Sequence, residues 1–223
     1  LDLYSTGFDF YAGSDFLEPY KKNDKEAKNL YELAPENGYV IARGYKAYLK
    51  KSKKTDKIIL LQPEEDSKID RSAIPYAIDR KKGNLTLQEI TRAGINFLTK
   101  NNDNGFFLMV ESAIIDGYGH NNDSEGMIVE MREVDNTVRQ LVEYVNQHPE
   151  TLLVITADHE TGGTGVDYNS LAPGDVKPVR LSFSTHGHTG TLVPIFAYGA
   201  GAEAFGGVMK NTDLPKKIEE LMK

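Results

Sequence analysis

The run TLLVITADHETGG, Thr151 to Gly163, decides the reading of this chain. Its first six residues are apolar or β-branched and too few for an amphipathic helix, which is the pattern of a short buried strand. It then turns at once to Asp158, His159 and a pair of glycines, placing titratable side chains just past a strand's carboxyl end. In open α/β sheets that is where ligand crevices form.

Upstream, Met127, Met131, Val134, Val138, Leu141, Val142 and Val145 make one apolar stripe, predicting a long helix from about Asp123 to Gln147. Before it, FFLMV (Phe106 to Val110) is too short and too continuously apolar for a helix and reads as a central strand. Thr86 and Glu89 form a capping box ahead of Ile90, Ala93, Phe97 and Leu98 at helical spacing. Tyr39 to Ala42 and Lys57 to Leu61 read as short buried strands with a basic helix between them, and Asn23 with Glu26 as the capping box of a helix stopping near Gly38. Gly7 to Gly13 reads as a candidate extended arm.

Downstream, Glu160 to Val179 is rich in Gly, Asn, Pro and Asp and reads as a surface loop. Arg180 to Phe183 and Leu192 to Tyr198 are predicted strands, and Asp213 to Met222 a closing helix with Pro215 in its first turn. Strands alternating with helices place residues 1–223 in the α/β class, as a single domain with a largely parallel central sheet.

Composition narrows the function. A net charge of −7 argues against a nucleic-acid partner. The basic stretch Lys46 to Lys57, with Lys50, Lys51, Lys53 and Lys54 clustered, reads as a solvated helix end. No apolar run approaches the ~18 residues of a membrane span. The chain opens at Leu1 without a secretory signal, so its opening says little about compartment. With no cysteine, any metal must sit on His, Asp and Glu.

Three clusters offer such ligands. Glu111, Asp116 and His120 follow the FFLMV strand, Asp158 and His159 follow TLLVIT, and His186 and His188 precede the LVPIFAY strand. Each has a plain structural reading as a cap, a turn residue or a loop histidine. His148, before Pro149 at a helix end, is read as structural. The conjunction carries the signal: adjacent metal ions without thiolates need several His and carboxylate ligands from different strand ends.

The pattern V-E-x-x-x-I-D-x-x-x-H, then T-A-D-H, then H-T-G before an apolar strand, is similar to that of alkaline phosphatases. The opening GFDFYAGSDF resembles the segment after the first catalytic block in bacterial members, and matched pieces run from near residue 7 to the C-terminal helix. The resemblance is to the C-terminal half of the family. It implies a three-layer α/β/α sandwich and small phosphomonoester substrates. Two zinc ions and one magnesium are implied: Asp116, His120 and His188 on the first zinc, Asp158 and His159 on the second, Glu111 on magnesium. His188 is preferred to His186 because it sits in the H-T-G before the strand; His186 is left as a spare beside the ligands. A periplasmic or otherwise extracytoplasmic bacterial location and a candidate homodimer are implied too.

Departures from the family pattern bear on activity. The nucleophilic serine, the aspartate shared by the second zinc and magnesium, the phosphate-gripping arginine and a Ser/Thr ligand of magnesium lie in the family's N-terminal half and have no counterpart here. Ser112, beside Glu111, is read as structural. The isolated chain is therefore expected to be inactive. The 29-residue interval from His159 to His188 leaves no room for the large crown insertion of many members, which weakens the case for crown-mediated dimer contacts. Competing readings are a phosphodiesterase or sulfatase of the same superfamily, a non-catalytic metal-binding domain, and a mutase cousin with a different metal pair.

Overall fold

Ile58, Ile59, Leu60 and Leu61 are between 0% and 3% exposed, and the first half of the molecule is built around them. The computed structural model describes residues 2–21, 26–68, 74–166 and 180–223. They fall into two compact units, Leu1–Ile114 and Ile115–Lys223.

In chain order the first unit carries α1 (Asp2–Ser5), β1 (Phe10–Gly13), α2 (Leu30–Glu36), β2 (Val40–Arg43), α3 (Tyr45–Lys51), β3 (Ile58–Leu61), α4 (Glu64–Ser67) and α5 (Leu87–Leu98). Strand β3 lies between β1 and β2, parallel to both, with Ile58 opposite Phe10 and Val40. Side chains alternate across a strand. Ile58 and Leu60 accordingly pack with Ala42, Tyr48, Ala93 and Phe97, while Ile59 and Leu61 pack with Phe16, Ala34 and Tyr39 on the other face. Burying each such aliphatic side chain contributes about 1.5–3 kcal/mol. This is why KIILL shows no polar alternation.

Local signals set the helix starts. The Thr86 side chain accepts from Glu89 N at 3.0 Å and Glu89 Oε2 accepts from Thr86 N at 3.1 Å, the capping box read from sequence. Asn23 lies outside the described residues. The helix expected from there starts at Leu30, capped by the same N-x-x-E spacing at Asn29 and Glu32. Gly7 to Gly13 is no free arm, since its second half is β1.

The FFLMV segment is a correction. It forms no strand among the described residues, leaving Phe107 51% and Met109 78% exposed. Leu108 is half-buried and packs close to Gly94 on α5. An apolar run dictates an extended chain with one packed face; a ladder also needs a neighbour's backbone edge.

The second unit carries α6 (Ile114–Asn121), α7 (Ser124–Gln147), β4 (Leu152–Ile155), β5 (Glu160–Thr161), β6 (Gly165–Val166), β7 (Leu181–Ser182), β8 (His188–Thr189), β9 (Phe196–Gly199) and α8 (Leu214–Leu221). Helix α7 is capped by Asp123 and follows the predicted bounds, although Met131 of its stripe is half exposed. TLLVIT is less buried than its composition implies. It forms β4 with all four residues half-buried, and its partner among the described residues is the antiparallel β9. The strand expected from Leu192 is laddered only from Phe196, past Pro194, which has no N–H to donate. The expected loop from Glu160 forms two short strands, β5 and β6, paired with β8 and β7; residues 167–179 lie outside the described set. No helix among the described residues is long and apolar enough to cross a membrane.

Candidate metal centre

Helix α6 sets the first two donors. Asp116 and His120 stand four residues apart, so they share a helix face. His120 Nε2 lies 3.4 Å from Asp116 Oδ2. The third donor arrives through the β5–β8 ladder, which pairs Thr161 with His188. This brings His188 Nε2 to 3.1 Å from His120 Nε2 and 3.5 Å from Asp116 Oδ1.

These distances have a geometric meaning. Ligand atoms at ~2.0–2.1 Å from a tetrahedral zinc are about 3.3 Å from one another. The three contacts, at 3.1, 3.4 and 3.5 Å, lie near that length, with Asp116 meeting His120 through Oδ2 and His188 through Oδ1. Two imidazole nitrogens and a carboxylate also form a donor set suited to zinc. Between 41% and 47% of each side chain remains exposed, so the cluster opens to solvent.

Asp158 and His159 extend the cluster beyond β4. His159 Nε2 is 3.2 Å from Asp158 Oδ2, and its ring stacks on His188 at 3.6 Å between centroids. Asp116, His159 and His188 also offer ligand atoms lying within 4.8 Å of one another. The two triads share Asp116 and His188. The set with His120 has all its contacts at 3.1–3.5 Å, Asp116 using both carboxylate oxygens.

Thr161 links the two groups. Its hydroxyl donates to Asp116 Oδ1 at 2.5 Å and lies 3.1 Å from His159 Nδ1. A hydroxyl has one proton, so once it donates to Asp116 it can only accept from His159. That puts a proton on His159 Nδ1 and turns Nε2 toward Asp158 Oδ2. Next to it, the Glu160 carboxylate accepts from Gly163 N at 3.1 Å, Thr164 N at 2.7 Å and the Thr189 hydroxyl. The Thr164 N–H and the Thr189 hydroxyl, with help from Gly163, hold its pKa below the ordinary glutamate value. It thereby ties the turn after β5 to β8.

Of the residues singled out from sequence, Asp116, His120, His159 and His188 meet here, with Asp158 at the rim, 86% exposed. Glu111 belongs to the first unit and is exposed. His186 contributes no ring nitrogen to either triad; it faces the backbone of His120. His148 stacks on Tyr144 at the end of α7. Thr161 and Glu160 were missed by sequence reasoning. Their adjacency to the Asp-His pair was the available signal, since ligands are commonly held by neighbouring hydrogen bonds.

The alkaline phosphatase family model matches residues 10–176. Alkaline phosphatase 3 of Bacillus subtilis is 28% identical over 262 residues, covering 87% of this chain and 54% of that protein. Among solved structures, alkaline phosphatase from the Antarctic bacterium TAB5 superposes with a TM-score of 0.81 at 29% identity, covering 99% of this chain and 62% of that one. A mutant of the TAB5 protein, with a TM-score of 0.80, 29% identity and the same coverage, was solved with magnesium bound. The chain spans about half the length of the first of these relatives.

Proposed function

Since the chain belongs to the alkaline phosphatase family, we propose that it is the ligand-bearing portion of a metal-dependent phosphomonoester hydrolase. Residues 1–223 are taken as one part of a longer catalytic domain. The observation that carries the reading is the meeting of Asp116, His120 and His188, whose contacts at 3.1–3.5 Å gather two imidazole nitrogens and a carboxylate within reach of one ion.

Asp116, His120 and His188 would hold the first zinc, Asp158 and His159 the second, and Glu111 the magnesium. When bound, such ions supply Lewis-acid stabilisation of charge on phosphoryl oxygens and make coordinated water more acidic. The chain's own residues prepare for them. Asp116 and Asp158 bring negative charge to offset the cations, and the histidines present neutral imidazole. Thr161 fixes the His159 proton on the ring nitrogen that faces away. The half-exposed donors leave a side open from which a small phosphomonoester can approach. The family's serine, which attacks phosphorus to give a phosphoserine that water then hydrolyses, has no equivalent assigned here. The isolated chain is accordingly expected to be inactive. A periplasmic or otherwise extracytoplasmic bacterial location and a candidate homodimeric parent complete the reading.

The test is a zinc count per chain after stripping and reloading, alongside aryl phosphate turnover. About one tightly held zinc, lost in His188→Ala, with no turnover, is expected. Zinc uptake indifferent to His188→Ala would remove the ligand assignment, and zinc-dependent turnover would remove the claim of inactivity.

A further inference from the structure

We propose that His186 is a positioning residue: its ring, bonded to the His120 carbonyl, holds its own backbone carbonyl against His120 Nδ1 and so keeps the His120 ring in one tautomer, set against His188, before any metal arrives. The inference rests on the proposed zinc site but is carried by contacts that the zinc assignment does not use.

The two histidines clasp each other through opposite backbones. His120 Nδ1 lies 2.5 Å from His186 O, and His186 Nδ1 lies 2.8 Å from His120 O. A carbonyl oxygen can only accept, so each ring must carry its proton on Nδ1. In the neutral His120 ring this makes Nε2 the lone-pair nitrogen, and Nε2 is the atom facing His188 at 3.1 Å and Asp116 at 3.4 Å. The opposite tautomer would set two lone pairs against each other at the 2.5 Å contact and would put a proton where an ion must sit.

The clasp also fixes position. It joins the last turn of α6 to the segment that enters β8 at His188, so one short strap governs the separation of two ligands from distant parts of the chain. Asn122 reinforces it from a left-handed backbone at φ 54°. With its amide donating to Thr185 O at 2.8 Å and Gly119 O at 3.0 Å, its Oδ1 lies 3.3 Å from His186 Nδ1. Hydrogen bonds behind a ligand that fix its ring orientation are worth about 10–100-fold in metal affinity.

Side-chain shape makes the inference testable. An asparagine amide nitrogen falls near the place of histidine Nδ1, and a glutamine amide nitrogen near that of Nε2. In the 223-residue chain, His186→Asn is expected to keep zinc affinity near the parent value, whereas His186→Gln and His186→Ala lose about 10–100-fold. Nitrogen NMR of the metal-free proteins gives a second readout. His120 should hold one tautomer, protonated on Nδ1, in the parent and His186→Asn, and a mixture in His186→Gln and His186→Ala. An unchanged tautomer or an unchanged zinc affinity in His186→Gln overturns the inference; that variant is close to isosteric and does not depend on the alanine form folding. If zinc binding proves indifferent to His188→Ala, the zinc assignment fails instead, and the metal-free tautomers still decide whether the clasp exists.

Discussion

Thr161 shows how much one hydroxyl can organise. It stands between a carboxylate and an imidazole and reaches both, at 2.5 Å and 3.1 Å. Thr161→Val keeps the β-branched shape that β5 accommodates and deletes only the hydroxyl. Zinc affinity should fall about tenfold or more with little change in melting temperature, measured by titration calorimetry and thermal unfolding. Equal affinity in the variant would mean that the hydroxyl is incidental. Thr161→Ser, which keeps the hydroxyl, should recover most of the loss. His186 acts at the same scale, its carbonyl and ring holding His120 as the Thr161 hydroxyl holds His159.

At the scale of elements, the carboxyl ends of the parallel strands are tied by Asp15, just past β1, and Arg43, the last residue of β2. Their charged groups meet at 3.1 Å with the Asp15 side chain only 3% exposed. Burial raises the Asp15 pKa, but the Tyr31 hydroxyl, the Phe16 N–H, the Ser67 hydroxyl and the Arg43 charge outweigh it and hold the carboxyl below its ordinary value. The sign follows from linkage. A depressed folded pKa gives stability that is present above the unfolded value of about 3.9 and is lost as pH falls through the folded one. Asp15→Asn should therefore lower stability at pH 7 by about 1–3 kcal/mol and flatten the acid limb of stability against pH. Denaturant unfolding at pH 7 and pH 3 checks it: a constant difference between the two proteins at both values would sink the assignment.

The same scale explains why FFLMV and KIILL, so alike in composition, end differently. KIILL lies between two parallel neighbours and is buried on both faces. FFLMV meets no ladder among the described residues and keeps Phe107 and Met109 outside. Composition predicts extended backbone in both; the sheet decides which of them is core.

For the molecule as a whole, the ligands gathered around Asp116 all belong to the second unit, so metal binding should be felt there first. Saturating zinc at about a hundredfold above its dissociation constant adds about 2.7 kcal/mol to the state that binds it. Hydrogen exchange should slow across residues 116–120, 158–161 and 186–189, leave β1, β2 and β3 unchanged, and revert on chelation. Protection spread evenly over the chain, or absent from those three segments, would count against a built site.

What the sequence determined by itself was local and periodic. The alternation of strands and helices, the Thr86–Glu89 cap and the span of α7 follow from residue spacing, because a turn of helix or a pleat repeats over a few residues. The set of metal-capable side chains was legible too, because without cysteine few residue types could supply it. Only the tertiary structure decided which of them meet. His186 and His188 are near neighbours in sequence, yet one turns its ring to a backbone carbonyl and the other to a carboxylate and two imidazoles. The ladder of TLLVIT and the ring contacts of His120 likewise depend on partners far along the chain. Hydrogen bonding and coordination are set by distances of ~3 Å in space, which separation along the sequence does not encode.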